Sequence, residues 1–204
     1  GVITVGVDDA GYDVTFYGAA AGAQMYWNQA SQQLELRGAT ADHATTSAGR
    51  LVLSTMQVAV VDGDRLGQID FEAPAEANAS DSRLVAASIW AEADDTFAAD
   101  NNACELVFAT AASETAAEQM RLTSDGKLGI GIATPGFQLD LQNGGGDGIR
   151  VAGYSTTAGS AGRLYLSRSN NGTAGTQTAI DAEDVLGQII FQGSNGSAFV
   201  TGSS

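Results

Sequence analysis

The sequence predicts an all-β protein made of repeated antiparallel β modules, and three observations carry that expectation. Short runs of β-branched, aromatic and aliphatic residues alternate with turn residues along most of the chain. The 204 residues include 26 glycines but only 2 prolines, which fits many tight turns and no proline-rich linker. Two stretches of sequence occur twice in the same order, the signature of a tandem array.

Strands are expected first over residues 2–7, 13–17, 24–27 and 34–37, with turn signals at 8–11, 18–22 and 28–31. Farther on, Gln68-Ile69-Asp70-Phe71 and Gln138-Leu139-Asp140-Leu141 alternate polar with apolar residues. That period of two places Ile69 with Phe71, and Leu139 with Leu141, toward a core. Residues 73–103 are rich in alanine and acid, which favours helix, yet Leu84, Val85, Ile89 and Trp90 form no helical stripe. A strand is expected over 85–93, and either a helical turn or a loop over 110–118.

Asp125-Gly126 signals a two-residue type I′ hairpin joining 119–123 to 127–132. In the second of these strands Leu128, Ile130 and Ile132 share one face, and Gly129 and Gly131 leave room on the other for a second backbone. Pro135 should stop that strand, with 137–141 starting the next, and Gly144-Gly145-Gly146 reads as a break between modules.

The duplication is specific. Ser47-Ala48-Gly49-Arg50-Leu51-Val52-Leu53-Ser54 recurs as Ser160-Ala161-Gly162-Arg163-Leu164-Tyr165-Leu166-Ser167, an offset of 113. Leu66-Gly67-Gln68-Ile69-Asp70-Phe71 recurs as Leu186-Gly187-Gln188-Ile189-Ile190-Phe191, an offset of 120. The second copy thus carries seven extra residues, assigned to a surface loop within 170–178. Residues 199–203 resemble 84–88, and the sequence stops where the first copy enters its longest strand, so the native chain is expected to continue past Ser204. The modules are set at 1–42, 43–143 and a truncated 144–204. Two tandem copies with few large apolar residues suit an elongated architecture better than a compact globule.

Composition narrows the function classes. A net charge of −15, with one lysine and eight arginines, argues against nucleic acid or anionic membrane as partners. No stretch approaches the roughly 18 apolar residues of a membrane span. Cys104 is the single cysteine, which excludes an intrachain disulfide. So thin a core then calls for oligomerisation.

Met120-Arg121-Leu122-Thr123-Ser124-Asp125-Gly126-Lys127-Leu128-Gly129-Ile130-Gly131, followed by Pro135 and Leu139-Asp140-Leu141, resembles a pattern of bacteriophage tail-fibre and related virion structural proteins. The segments 66–71, 87–93 and 105–110 look like strands that precede that pattern, and 9–18 with Met25-Tyr26-Trp27 is similar to a further module of phage structural proteins. The sequence departs from the pattern at Ile132 and in the spacing around Thr134-Pro135-Gly136. The resemblance implies a homotrimer with interleaved sheets along a fibre axis, located on the virion. Its implied partners are other copies of the chain, other virion proteins and a host surface receptor.

Residues with chemical potential are few. His43 has no second histidine to share a metal, and no Gly-x-Ser-x-Gly elbow accompanies it. Cys104 reads as a small residue at a strand start in an acidic neighbourhood. Gly129-Ile130-Gly131 lacks the third glycine and the helix of a dinucleotide site. The pairs Asp8-Asp9, Asp94-Asp95 and Glu183-Asp184 are carboxylates of a kind that act on glycans or bind Ca²⁺, but their turn contexts favour capping. Trp27, Trp90, Tyr12 and Tyr17 suit sugar stacking, and more commonly a core or subunit interface. Asn78-Ala79-Ser80, Asn171-Gly172-Thr173 and Asn195-Gly196-Ser197 match glycosylation sequons, which matter only in a secretory pathway.

No catalytic, cofactor-binding or metal-ligating residue is assigned, and no cofactor is expected. The expected role is a non-enzymatic structural part of a phage appendage with a function in host attachment. The alternatives are a tailspike domain that cleaves host surface glycan and a bacterial surface adhesin.

Overall fold

The computed structural model describes residues 3–7, 11–40, 47–72, 84–142, 144, 148–152, 154, 156, 163–171, 173–194 and 199–201. All regular elements among them are β-strands, so the all-β expectation holds, and no helix is long and apolar enough to cross a membrane. The chain divides into two compact units, residues 1–144 and 145–204.

The first unit holds two sheets. Strands β1 (Val14–Tyr17), β2 (Gln24–Asn28) and β3 (Gln33–Arg37) form an antiparallel three-stranded sheet in sequence order. Strands β4 (Arg65–Glu72), β5 (Val85–Ala93), β6 (Cys104–Thr110), β7 (Ala117–Leu122), β8 (Leu128–Ile130) and β9 (Leu139–Leu141) form a six-stranded sheet in sequence order. Residues 3–6 lie in no strand, although their composition suggested one. The alanine-rich region resolves as expected into β5, and residues 111–116 form a loop.

Three local features differ from expectation. The hairpin between β7 and β8 is not type I′. The Gly126 amide donates to the Thr123 carbonyl at 3.0 Å, and positive φ occurs at Gly126 (+82°) but not at Asp125. That is a type I turn followed by a left-handed glycine. Thr123 supports it by donating its hydroxyl to Asp125 and accepting from the Lys127 amide at 2.9 Å.

Next, β8 ends at Ile130, before Pro135 is reached, because Gly131 turns the chain at φ +72°. Ile132 leaves the strand face, and its carbonyl oxygen lies over Gly129, where a Cβ would collide with it. The space left by Gly129 is therefore filled by the chain's own backbone. Finally, β9 pairs parallel to β8, with Leu128 opposite Leu139 and Ile130 opposite Leu141. The sheet is mixed, which corrects the purely antiparallel expectation.

Among its described residues the second unit holds one hairpin, β10 (Gln192–Ser194) with β11 (Phe199–Thr201). Residues 163–171 and 173–191 carry no strand pairing, and Leu164, Tyr165, Ile189 and Phe191 are exposed.

Two contacts of the first unit nevertheless occur again in the second. In residues 61–64 the Val61 amide donates to the Asp64 carboxylate at 2.8 Å, and the Asp64 amide donates to the Val61 carbonyl at 3.1 Å. In residues 181–184 the Asp181 amide donates to the Asp184 carboxylate at 2.8 Å, and the Asp184 amide to the Asp181 carbonyl at 3.3 Å. The third residue has positive φ in both, Gly63 at +81° and Glu183 at +74°. Likewise Leu53 lies against Gly67 and Leu166 against Gly187, where an added Cβ would meet the leucine Cβ at 2.6 and 2.5 Å.

Candidate functional site

Register decides what each face of the six-stranded sheet carries, because residues paired across strands project to the same side. One row reads Ile69, Ile89, Phe108, Met120, Ile130 and Leu141. A second reads Gly67, Ala91, Leu106, Leu122, Leu128 and Leu139 on the same side, with Phe71 and Ala87 beyond. None of these positions is charged. Yet Ile69, Phe71, Leu106, Leu122, Ile130, Leu139 and Leu141 are all substantially exposed. Ile69, Phe71, Leu139 and Leu141 were expected to face a core; they share a face, but within the chain it is an open one.

The opposite face is the more buried one. Trp90, Val107, Ala109, Ser88 and Glu105 lie there, with Val107 fully enclosed. At its centre Arg121 binds three carboxylates from three strands. Its Nη1 contacts both Glu105 and Glu92, the latter at 2.9 Å. Its Nε and Nη2 form a bidentate pair with Glu118 at 2.8 and 2.6 Å. Glu92 and Glu105 sit directly opposite each other in the ladder, an arrangement that repels without the intervening cation. Glu92 also accepts from Trp90 Nε1 at 2.6 Å, and the Arg65 guanidinium stacks 4.1 Å from the Trp90 ring centroid.

With three carboxylates on one guanidinium, negative charge is in excess. Burial, together with the charge of Glu92, holds the Glu118 carboxyl above the usual carboxylate range. Along the edge of the same face, Asp70 accepts from Ser88 and Gln68 at 2.5 Å each, which pushes its carboxyl below the usual range.

Arg121, Glu92, Glu105 and Glu118 were not singled out from the sequence. A signal was available for two of them: Arg121 stands between Met120 and Leu122, and Glu105 precedes Leu106-Val107-Phe108. Their meeting depends on the register of three strands.

The residues that were singled out do not converge. Asp94 accepts a short hydrogen bond from the Ser124 hydroxyl, whereas Asp95 accepts from the Thr96 amide at 2.6 Å and from Asn101 at 2.9 Å. Asp184 caps its turn and pairs with Arg168 at 2.8 Å. These carboxylates organise turns. Asp8-Asp9, His43 and two of the sequons lie outside the described residues. In the third sequon Asn171 is engaged on both sides, donating to Thr178 at 3.0 Å and accepting from the Thr173 amide at 2.8 Å.

Cys104 opens β6 and is half-buried, as expected of a small strand-start residue. Trp90 is core. Trp27 is partly exposed on the apolar face of the three-stranded sheet, with Val14, Phe16, Met25, Leu34 and Leu36. Tyr17 lies on that sheet's other face, and Tyr12 precedes it. On that other face Tyr26 donates to Asp13 at 2.6 Å, which lowers the Asp13 carboxyl and raises the Tyr26 phenol. Among the described residues no three His, Cys, Asp or Glu are grouped to hold a metal ion.

Known proteins offer no shortcut. No family model matches the chain, and no curated protein matches it.

Proposed function

We propose that the chain is a non-enzymatic structural component of a phage virion appendage, a tail fibre or a head or tail decoration fibre, that works by assembling with copies of itself. One observation carries the assembly part: the described residues bury only Val60, Trp90, Ala93, Val107 and Ala109 as apolar core. Whole apolar sheet faces stay open. A chain that leaves its largest apolar surface in water has a partner for it.

The repeated-module reading is supported by the twin turns at 61–64 and 181–184 and by the twin leucine–glycine contacts at Gly67 and Gly187. The virion assignment rests on the resemblance of residues 120–141 to tail-fibre sequences. Self-association as a homotrimer, contact with other virion proteins and attachment to a host receptor belong to the same proposal. A net charge of −15 limits lateral clumping of finished fibres.

Light scattering of the purified chain tests assembly directly. A mass three times that of the chain is the expected result, and a monomer at every concentration sinks the proposal. Glycan cleavage by the purified chain would refute the non-enzymatic part.

A further inference from the structure

We propose that the interface between copies is the uncharged face of the six-stranded sheet, turned toward the same faces of its two neighbours around the axis of the trimer. This rests on the assembly reading above and adds to it the surface used.

Three observations select this face and this occupant. Its size is adequate: strands about 4.8 Å apart and about 3.3 Å per residue give roughly 500 Å² in plan per copy, or about 1,500 Å² over three copies. That is above the roughly 1,000 Å² of total buried surface at which an interface becomes specific.

Its electrostatics favour self-contact. The chain carries a net charge of −15, but the rows through Ile69 and Leu106 hold no charged side chain. Two copies meet there without bringing like charges together. A basic partner would find no carboxylate to pair with.

Its relief is suited to interdigitation. Leu53 lies over this face at Gly67, and with Leu51 it bounds an open hollow of about 450 Å³ together with Ile69, Ile89 and Leu106. Every apolar side chain on the rest of the face is a candidate to fill such a hollow in the neighbour. Side chains of three such faces mesh around the axis as the inner faces of packed sheets do.

The opposite face cannot serve. Its centre is already enclosed, and its charges are engaged with one another through Arg121.

The test compares the self-association of wild type, Phe71→Glu and Leu106→Glu by sedimentation, with circular dichroism as the check on folding. Phe71 is 53% exposed and Leu106 38% exposed, so the charge in Phe71→Glu is the better tolerated within one copy. Each variant should weaken association at least tenfold, with the β spectrum kept. Gln68→Glu, which places a carboxylate on the other face, should assemble as wild type does.

If Leu106→Glu fails to fold, Phe71→Glu decides alone. A wild-type oligomer that both variants preserve overturns the assignment of the face while leaving the assembly reading intact. A wild-type chain that stays monomeric overturns both, and leaves the face to a partner of another kind.

Discussion

The two faces of the six-stranded sheet invert the usual relation between polarity and burial. The face bearing Glu92, Glu105, Glu118 and Arg121 is shielded, whereas the face bearing Ile69, Leu106, Leu122 and Leu141 is open. Arg121 explains the first half. It is the register partner of Val107 and its side chain is only 12% exposed, so the ion pairs lie on the shielded face. The difference teaches that burial within one chain does not identify its driving surface. Ionic cover encloses one face of the sheet, and the apolar face is left open.

The contrast is broken most strongly at Arg121. Replacing it with Met leaves buried Glu105 and the partly buried Glu92 and Glu118 with no cation, and should cost about 3–5 kcal/mol of unfolding free energy. Urea unfolding of the variant measures it. Leu122→Ser, one residue along on the other face, should cost under about 1.5 kcal/mol in a dilute single chain, because Leu122 is 43% exposed. Equal losses would erase the distinction between the faces.

Removing the Trp90 donor with Trp90→Phe should cost roughly 2 kcal/mol, since a hydrogen bond to a charged, largely buried acceptor is lost.

Proton binding sharpens the contrast further. Glu118 holds its proton more tightly in the folded chain than in the unfolded one, so its contribution to stability falls as pH rises from the ordinary value of 4.5 through the raised one. Asp70 and Asp125 are shifted the other way; their contributions are present above the ordinary 3.8 and are lost as pH falls through their lowered values. Glu118→Gln should therefore flatten the decline in stability as pH rises above the ordinary 4.5, seen as a smaller change in melting temperature over that rise. An unchanged profile would mean that Glu118 does not carry the excess charge.

The smallest expected effect is at Glu183, which occupies the left-handed region that Gly63 occupies in the matching turn. Glu183→Gly should relieve about 1 kcal/mol of backbone strain. Hydrogen exchange at the Asp184 amide would register the slower opening.

Strand positions were largely legible in the sequence. Alternation and turn residues are local properties, and they marked β5, the β7–β8 hairpin and the three-stranded sheet. Which face meets water was not legible. The period of two gives the phase of Ile69 and Phe71 but is silent on which side the protein lies. Nor did Asp125-Gly126 fix its turn type, because the Thr123 hydroxyl selects the longer loop by holding the Lys127 amide. The parallel pairing of β9 depends on Gly131 turning the chain so that Ile132 crosses Gly129, a backbone event with no side-chain period. The Arg121 cluster stayed hidden for a related reason: residues far apart in sequence meet only once register is set.

The leucine–glycine contacts give the molecule an internal replicate. Leu53 meets Gly67 where β4 is paired to β5 across a finished sheet, and Leu166 meets Gly187 where the flanking residues have no strand partner. Alanine introduced at Gly67 and at Gly187 therefore poses one steric question in two settings. The first setting must yield through six connected strands and the second through a free segment. The gap between their costs is a direct reading of how much rigidity neighbouring strands lend to a contact that neither sheet hydrogen bonds nor charge maintain.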